Sequence, residues 1–386
     1  MTLPSWITLD SANSRLVGAA GQFSGTTQAE ANASAQRSLD TFGDAAIADG
    51  SLYCNPFPVL ETTIAGFGAD APAQSTWDED NEFVWTSWGY NGSVNRPVSR
   101  LDVNDNSIAT FLPTFKTHGV QYVPDYSPTG TLQGERVWFN RVTKIGHILP
   151  AAPYTETNVF TSPAVTGNLG NTTGPALWVP EENMLFVAQG IVSDKLRFSR
   201  IDFMTGVRTE SDLIVGANGV NTDTYNYTYN PEQSAVLAGQ RSPGIASVNI
   251  SSLAATFISL AGGRNTRYCH AYCPDNGYIY AAYVLGGIYG VALIKASDYS
   301  ILDYVDIDST FITGIVYHPF RRYMYVYGST KVTIIDTDKY ALGSAMILGN
   351  ITTGLTSSIS RATGVYSPTT RKVYIANPAG SMYVIT

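Results

Sequence analysis

An aromatic residue followed two positions later by proline recurs along this chain, and each copy precedes an apolar run. The seven copies begin at Trp77, Tyr122, Trp178, Tyr229, Tyr272, Tyr317 and Tyr366. In the first copy, Glu79 stands in place of the proline. The copies lie about 48 residues apart on average, so the sequence predicts one structural unit repeated seven times.

Each repeat has the sequence features of a four-stranded antiparallel sheet. The turn residues Pro274–Gly277 precede the apolar strand Tyr278–Tyr280, because Pro, Asp, Asn and Gly favour tight turns. A third strand ends in Asp or Asn, as in Arg200–Asp202, and a more polar outer strand follows, as in Gly206–Thr209. Short strands at this period predict an all-β fold, a seven-bladed β-propeller with four-stranded blades over residues 57–386.

Two of the later repeats carry a more specific pattern. Val373–Asn377 reads Val-Tyr-Ile-Ala-Asn, and Val332–Asp336 ends in Ile-Ile-Asp. These runs resemble the YVTN-type propeller repeat, and the resemblance becomes degenerate in the first two repeats. The resemblance implies the propeller fold and implies no particular activity.

The last repeat ends at its third strand, Met382–Ile385, and has no fourth strand of its own. The segment Leu60–Gly66 lies just before the first repeat and reads as an outer strand. We therefore expect residues 60–66 to pair with residues 381–386 and close the ring, which removes an exposed sheet edge. The alternative is an open or six-bladed ring in which the first repeat is an unrelated insertion.

Residues 1–56 do not share the repeat. Thr27 and Glu30 form a capping-box pattern, which predicts a helix near residues 28–48. One apolar stripe of this helix consists of Ala31, Ala35, Leu39 and Phe42. The stripe needs a surface to pack on, and we interpret residues 1–56 as a docking segment for a partner subunit. The alternative is that the helix packs on the flank of the propeller.

The run Thr26–Asn32, followed by small and apolar residues up to Cys54, resembles a short motif. That motif occurs in structural proteins of bacteriophages and in surface proteins of Bacteroidetes-type bacteria. It usually includes an earlier cysteine, which this chain lacks, so we assign no disulfide to Cys54.

Charge and composition exclude several classes of function. The formal net charge is −8 and no Lys/Arg-rich run occurs, which argues against nucleic-acid binding. No apolar run approaches the roughly 18 residues that a membrane span requires. The first residues lack the basic and apolar regions of a signal peptide, and three cysteines do not suggest a disulfide framework.

No pattern in the sequence predicts a catalytic, cofactor or metal site. Cys269, His270 and Cys273 form one dense group, but a fourth ligand is lacking and we interpret them as packing within a blade. His318 occupies a position whose residue type varies among the repeats, so we assign it no catalytic role. Asp102–Asn106 is interpreted as the turn before an outer strand, with calcium binding as the alternative.

Aromatic residues concentrate in the early repeats among Ser, Gly and Asn. Such segments form adaptable binding surfaces because rigid rings provide contact area at low entropic cost. The candidate surface residues are Trp85, Trp88, Tyr90, Trp138, Tyr225 and Tyr227. The alternative is that these rings pack between blades.

The sequence favours a non-enzymatic virion structural protein of a bacteriophage, either a tail or a capsid-decorating component. Residues 1–56 would dock on other virion proteins, and the propeller would contact a glycan or protein of the host surface. Such a chain would be made in the host cytoplasm and located in the virion. The alternatives are a bacterial surface-binding scaffold and a polysaccharide-acting propeller enzyme, which would need paired carboxylates or a metal-bound histidine in the central channel.

Overall fold

The structure is a computed structural model of the full chain. The residues it describes are 7–10, 15–18, 57–67, 72–88, 97–113, 117, 119–124, 135–141, 144–161, 176–192, 195–210, 214–215, 226–239, 244–309, 311–328, 330–337, 346–353 and 363–386. The chain divides into two compact units, Met1–Pro58 and Val59–Thr386. The helix predicted near residues 28–48, with Ala31, Ala35, Leu39 and Phe42, lies outside the described residues.

The described part of the first unit is one antiparallel pair, β1 (Ile7–Asp10) and β2 (Arg15–Gly18). The second unit is all-β, a seven-bladed propeller with four-stranded antiparallel blades. It opens with strand β3 (Leu60–Ala65), which belongs to the last blade. The predicted fold class is thereby confirmed.

The first three blades follow β3 in chain order. Blade 1 contains β4 (Pro72–Asp78), β5 (Phe83–Trp88), β6 (Val98–Asp102) and β7 (Ile108–Phe111). Blade 2 contains β8 (Gly119–Val123), β9 (Arg136–Arg141), β10 (Lys144–Ile148) and β11 (Thr157–Thr161). Blade 3 contains β12 (Ala176–Val179), β13 (Met184–Val192), β14 (Lys195–Asp202) and β15 (Arg208–Glu210), and β16 (Ile214–Val215) also pairs with β14.

The remaining blades repeat the same order. Blade 4 contains β17 (Tyr227–Asn230), β18 (Ala235–Gly239), β19 (Ile245–Asn249) and β20 (Ala255–Ile258). Blade 5 contains β21 (Asn265–Cys273), β22 (Tyr278–Leu285), β23 (Ile288–Lys295) and β24 (Ile301–Ile307). Blade 6 contains β25 (Ile312–His318), β26 (Tyr323–Gly328), β27 (Lys331–Asp336) and β28 (Ile347–Thr352), and blade 7 contains β29 (Thr363–Ser367), β30 (Lys372–Asn377), β31 (Ser381–Ile385) and β3.

The N-terminal strand β3 closes the ring by pairing with the C-terminal strand β31. The pairs Thr63↔Tyr383 and Ala65↔Ser381 define the antiparallel register. The innermost strand of each blade contacts that of the next, and β29 contacts β4. Ring closure by residues 60–66 is therefore confirmed, and the open and six-bladed alternatives are excluded.

The turn between the first and second strands has one backbone geometry in six blades. Its last residue has a positive φ in each case: Glu82, Asn183, Ser234, Gly277, Arg322 and Arg371. In five blades the carbonyl of that residue accepts a hydrogen bond from the N–H just after the third strand, as in Ala296 N–H to Gly277 O at 2.9 Å. Five of the six turns are thus fixed by a hydrogen bond within their own blade, although only one of the six residues with positive φ is glycine.

The core lies between blades, so the central strands of each blade are covered on both faces. Val84 and Leu101 of blade 1 pack with Tyr374 and Val384 of blade 7 in one cluster. This arrangement explains why strands such as β22 and β30 are apolar at nearly every position instead of alternating.

Gly314 of β25 lies directly beneath the buried ring of Tyr327. A Cβ atom at position 314 would lie 2.1 Å from atoms of that ring. We expect Gly314→Ala to lower the free energy of unfolding by about 3 kcal/mol, which lies at the upper end of the losses typical of overpacked cores. Urea denaturation measures this loss.

The double variant Gly314→Ala with Tyr327→Leu removes the ring that the new methyl group would strike. Its loss of stability should therefore be smaller than the sum of the two single losses. Unchanged stability in Gly314→Ala, or simple additivity, would contradict the packing described here.

Candidate functional site

The turns between the first and second strands lie on one face of the propeller, because every blade has the same connectivity. We call this the turn face. Its described turns are residues 79–82, 180–183, 231–234, 274–277, 319–322 and 368–371. The corresponding turn of blade 2 lies mostly outside the described residues.

Tyrosine–carboxylate hydrogen bonds join neighbouring blades on the turn face. The hydroxyl of Tyr317 in blade 6 donates to Asp275 of blade 5 at 2.5 Å. The hydroxyl of Tyr272 in blade 5 donates to Glu232 of blade 4 at 3.3 Å. Tyr122 of blade 2 donates to Asp80 of blade 1 in the same way. In blades 2, 5 and 6, the repeated aromatic residue therefore holds a carboxylate of the preceding turn in place.

Carboxylates dominate the turn face from blade 1 to blade 4. This acidic arc consists of Glu79, Asp80, Glu135, Glu181, Glu182 and Glu232. Among the described residues, no Lys or Arg nitrogen lies within 4.0 Å of any of these six carboxylates. Burial raises the pKa of the nearby Tyr229 phenol, and the negative charge of Glu182 adds to this rise.

Cations occupy the turn face in blades 6 and 7. This basic arc consists of Arg321, Arg322, Arg371 and Lys372. The guanidinium of Arg371 lies 4.0 Å above the ring of Phe320, which fixes its position. Lys372 forms an ion pair with Glu61 of the closing strand β3 at 2.6 Å.

Asp275 lies at the boundary between the two arcs. Burial alone would raise its pKa, but hydrogen bonds from Arg322 and Tyr317 outweigh burial and lower it. The Arg322 Nε donates to the Asp275 carboxylate at 2.7 Å. The carboxylate is therefore charged at neutral pH, and it ties the basic arc to blade 5.

His318 lies beneath the basic arc and is buried. Its Nδ1 accepts the N–H of Arg321 at 3.2 Å, so Nε2 is the protonated nitrogen and donates to the carbonyl of Arg371 at 3.0 Å. This pattern requires a neutral imidazole. Burial lowers the pKa of His318 to about 4.

Acid should destabilise the propeller in part through His318. The unfolded chain takes up this proton near pH 6.5 and the folded chain only near pH 4, so stability falls as the pH drops through that window. We expect His318→Gln, which retains one donor and one acceptor, to reduce the loss between pH 7 and pH 4.5 by about 2 kcal/mol. Urea denaturation at both pH values measures this difference, and identical losses in the two proteins would contradict the neutral assignment.

Four of the six predicted surface aromatics are buried. Trp85, Trp88, Trp138 and Tyr227 all lie in the core, so the surface assignment of these four residues is corrected. They lie on strands β5, β9 and β17, which are covered by neighbouring blades. These four rings therefore pack between blades, which was the alternative interpretation of the sequence. Tyr90 and Tyr225 lie outside the described residues.

The Cys269, His270 and Cys273 group is buried within blade 5. Both cysteines are free thiols, and burial raises the pKa of Cys269 to about 12, which disfavours the thiolate that binds metal. No group of three or more metal-ligating side chains occurs among the described residues. Burial also lowers the pKa of His270 to about 4.

The acidic and basic arcs were not identified from the sequence. A signal for them exists in the residues that follow the repeated proline. Blades 3, 4 and 5 read Pro180-Glu, Pro231-Glu and Pro274-Asp, whereas blade 6 has two arginines in the same turn. These residues are scattered along the chain, and only the closed ring brings them onto one face.

Among the described residues, none belongs to a helix that is long and apolar enough to cross a membrane. No family model matches the sequence, and no curated protein matches it significantly.

The fold is similar to that of a chain in a crystal structure of the mitotic checkpoint complex, with a TM-score of 0.60. The similarity covers 85% of this chain and 91% of that chain at 12% sequence identity. At this identity the likeness shows the propeller fold alone. The YVTN repeat type and the N-terminal motif remain predictions.

Proposed function

We propose that this chain is a non-enzymatic interaction scaffold that binds a protein partner through its turn face. The separation of charge into an acidic arc and a basic arc carries this proposal. Complementary charge patterns steer partners together and fix their orientation, and the carboxylates of the acidic arc have no described cation in contact.

The rigidity of the turn face supports the same role. Glu232 and Asp275 are held by tyrosines of the following blades, and five of the six described turns are hydrogen-bonded to their own blade. Side chains fixed before binding lose little conformational entropy on docking. The fitting partner carries a basic surface opposite blades 1 to 4 and an acidic surface opposite blades 6 and 7.

The finer proposal is that the scaffold is a structural component of a bacteriophage virion. The resemblance of the run Thr26–Asn32 to a motif of phage structural proteins supports it. The low share of charged residues, 14%, and the abundance of Tyr and Gly also suit a structural component. Residues 1–56 would then attach the propeller to other virion proteins.

Quantitative peptide mass spectrometry on purified virus particles and on cell fractions of the source culture tests the virion proposal. We expect a small fixed ratio of this chain to the major capsid protein in the particles. Its absence from particles, with recovery in soluble or cell-surface fractions, would contradict the virion role and favour a cellular scaffold.

A further inference from the structure

The third residue after the repeated aromatic residue lies on the turn face and usually carries a carboxylate. In blades 1, 3, 4 and 5 this residue is Asp80, Glu181, Glu232 and Asp275. In blade 6 the same position holds Phe320, and two arginines follow it, whereas blade 7 has Thr369 there. Blade 6 therefore replaces the carboxylate of the repeat with an aromatic ring next to cations.

This replacement affects a tyrosine of the next blade. Tyr122, Tyr272 and Tyr317 each donate a hydroxyl hydrogen bond to the carboxylate at this position of the preceding blade. The phenol of Tyr229 likewise lies near the carboxylates of the blade 3 turn. Tyr366 of blade 7 is the equivalent tyrosine for the turn of blade 6. Its hydroxyl makes no hydrogen bond with any described residue and is accessible to solvent.

The surroundings of the Tyr366 hydroxyl are positively charged. The guanidinium of Arg371 lies 4.0 Å above the ring of Phe320, and no described residue forms an ion pair or a hydrogen bond with it. Burial raises the pKa of the Tyr366 phenol, and the positive charge of Arg371 opposes this rise because the two groups lie close together. The hydroxyl and the guanidinium are therefore two donors near one another, both available to an acceptor. We call Tyr366, Phe320 and Arg371 the blade 6–7 site.

The buried His318 holds the two donors in position. Its ring lies 4.5 Å from the ring of Tyr366, and its Nε2 donates to the backbone carbonyl of Arg371 at 3.0 Å. Donors that are fixed before binding lose little conformational entropy when a ligand docks. The carboxylate of Asp275 in the neighbouring turn is paired with Arg322, so it leaves the charge of Arg371 available.

We propose that the blade 6–7 site binds an aspartate or glutamate side chain of the protein partner. This carboxylate accepts the Tyr366 hydroxyl, as Asp275 accepts that of Tyr317, and it pairs with the Arg371 guanidinium. The repeat argues for a carboxylate, because the equivalent phenol binds an Asp or Glu side chain in three other blades. The inference rests on the proposed scaffold role and identifies one anchoring contact within it.

Isothermal titration of the full chain with acetylated hexaglutamate tests the proposal, with tripolyphosphate as the comparison ligand. We expect hexaglutamate to bind. Tyr366→Phe and Arg371→Gln should each weaken this binding at least about tenfold, since each removes a hydrogen bond to a charged group. Thermal melting establishes that each variant is folded.

The matched controls are Tyr304→Phe and Arg264→Gln, which remove the same groups elsewhere. The Arg264 guanidinium lies 3.8 Å above the ring of Tyr304, near the start of β21 and away from the turn face. Arg264→Gln changes the net charge of the chain as much as Arg371→Gln does. Both controls should bind hexaglutamate with unchanged affinity.

Phe320→Asp places a carboxylate of the chain itself at the position that Asp80 and Asp275 occupy in blades 1 and 5. It should fill the blade 6–7 site from within. We expect hexaglutamate to bind Phe320→Asp at least about tenfold more weakly than Phe320→Asn, which has the same shape without the charge. Phe320→Asp should also melt at the higher temperature of the two, because its carboxylate pairs with Tyr366 and Arg371.

Absence of hexaglutamate binding would overturn the proposal, as would unchanged affinity in Tyr366→Phe and Arg371→Gln. Equal affinity in Phe320→Asp and Phe320→Asn would also contradict it. Binding of tripolyphosphate without hexaglutamate would overturn the assignment to carboxylates. Each of these results would leave the scaffold role standing, because that role is tested by finding the chain in an assembly and by cross-links from the acidic arc.

Discussion

A chain that begins at Phe67 and so lacks strand β3 is expected to lose its cooperative unfolding transition and to self-associate. Without β3, the edge of β31 is unpaired, and blade 7 has three strands. The ion pair between Lys372 and Glu61 is also lost. We expect the loss of stability to exceed about 5 kcal/mol, which is comparable with the total stability of many domains.

The matched control is a chain that begins at Phe57, which lacks residues 1–56 but retains β3. Urea denaturation and sedimentation of the two truncated chains separate the effect of β3 from that of the first unit. The longer chain should unfold cooperatively as a monomer. Equal stability of the two chains would show that β3 is dispensable for ring closure.

Trp85→Ala is expected to lower the free energy of unfolding by about 3–5 kcal/mol, as is typical for removal of a buried tryptophan. Trp85 is 1% exposed and packs edge-to-face against Tyr154. Its Nε1 also donates to the buried Asp78 at 3.0 Å, so the substitution leaves that carboxylate with fewer partners. Urea denaturation measures the loss.

Ile288→Ala provides the comparison, because Ile288 is 54% exposed and should change stability by less than about 0.5 kcal/mol. If Trp85→Ala were as stable as Ile288→Ala, the Trp85 indole would lie at the surface, as the sequence-based binding hypothesis assumed.

The fold was predictable because its signals repeat. The copies at Tyr272, Tyr317 and Tyr366 each mark the end of an inner strand. Because the motif occurs seven times, the clear copies establish the period even though the early copies are degenerate. The missing fourth strand of the last repeat also predicted ring closure by Leu60–Ala65, which the structure shows.

The positions of side chains relative to the surface were less predictable. Trp85 and Trp88 occur among Ser, Thr and Gly, which suggested a loop, yet they lie on β5 between two blades. Central strands of a propeller are buried on both faces, so polar neighbours do not indicate exposure. Thr86 and Ser87, next to these tryptophans, are themselves buried.

The turn geometry was not predictable from the sequence, and the residues of the charge arcs could be placed on one face only once the closed ring was known. The left-handed turn position is occupied by residues as different as Ser234, Gly277 and Arg322, so no residue type marks it. The hydrogen bond from Tyr317 to Asp275 joins residues 42 positions apart. Such contacts depend on how the seven blades are arranged in the closed ring. The positions of the charged side chains on the turn face follow only from that arrangement.

Carbodiimide cross-linking tests the central claim, binding of a protein partner through the turn face, most directly. The reagent couples a carboxylate to an amine in contact with it, and it would be applied to the assembly in which mass spectrometry finds this chain. We predict cross-links from Glu79, Glu181 and Glu232 to lysines of another protein. Cross-links to other proteins only from Asp306 and Asp308 on the opposite face, or none at all, would contradict the claim.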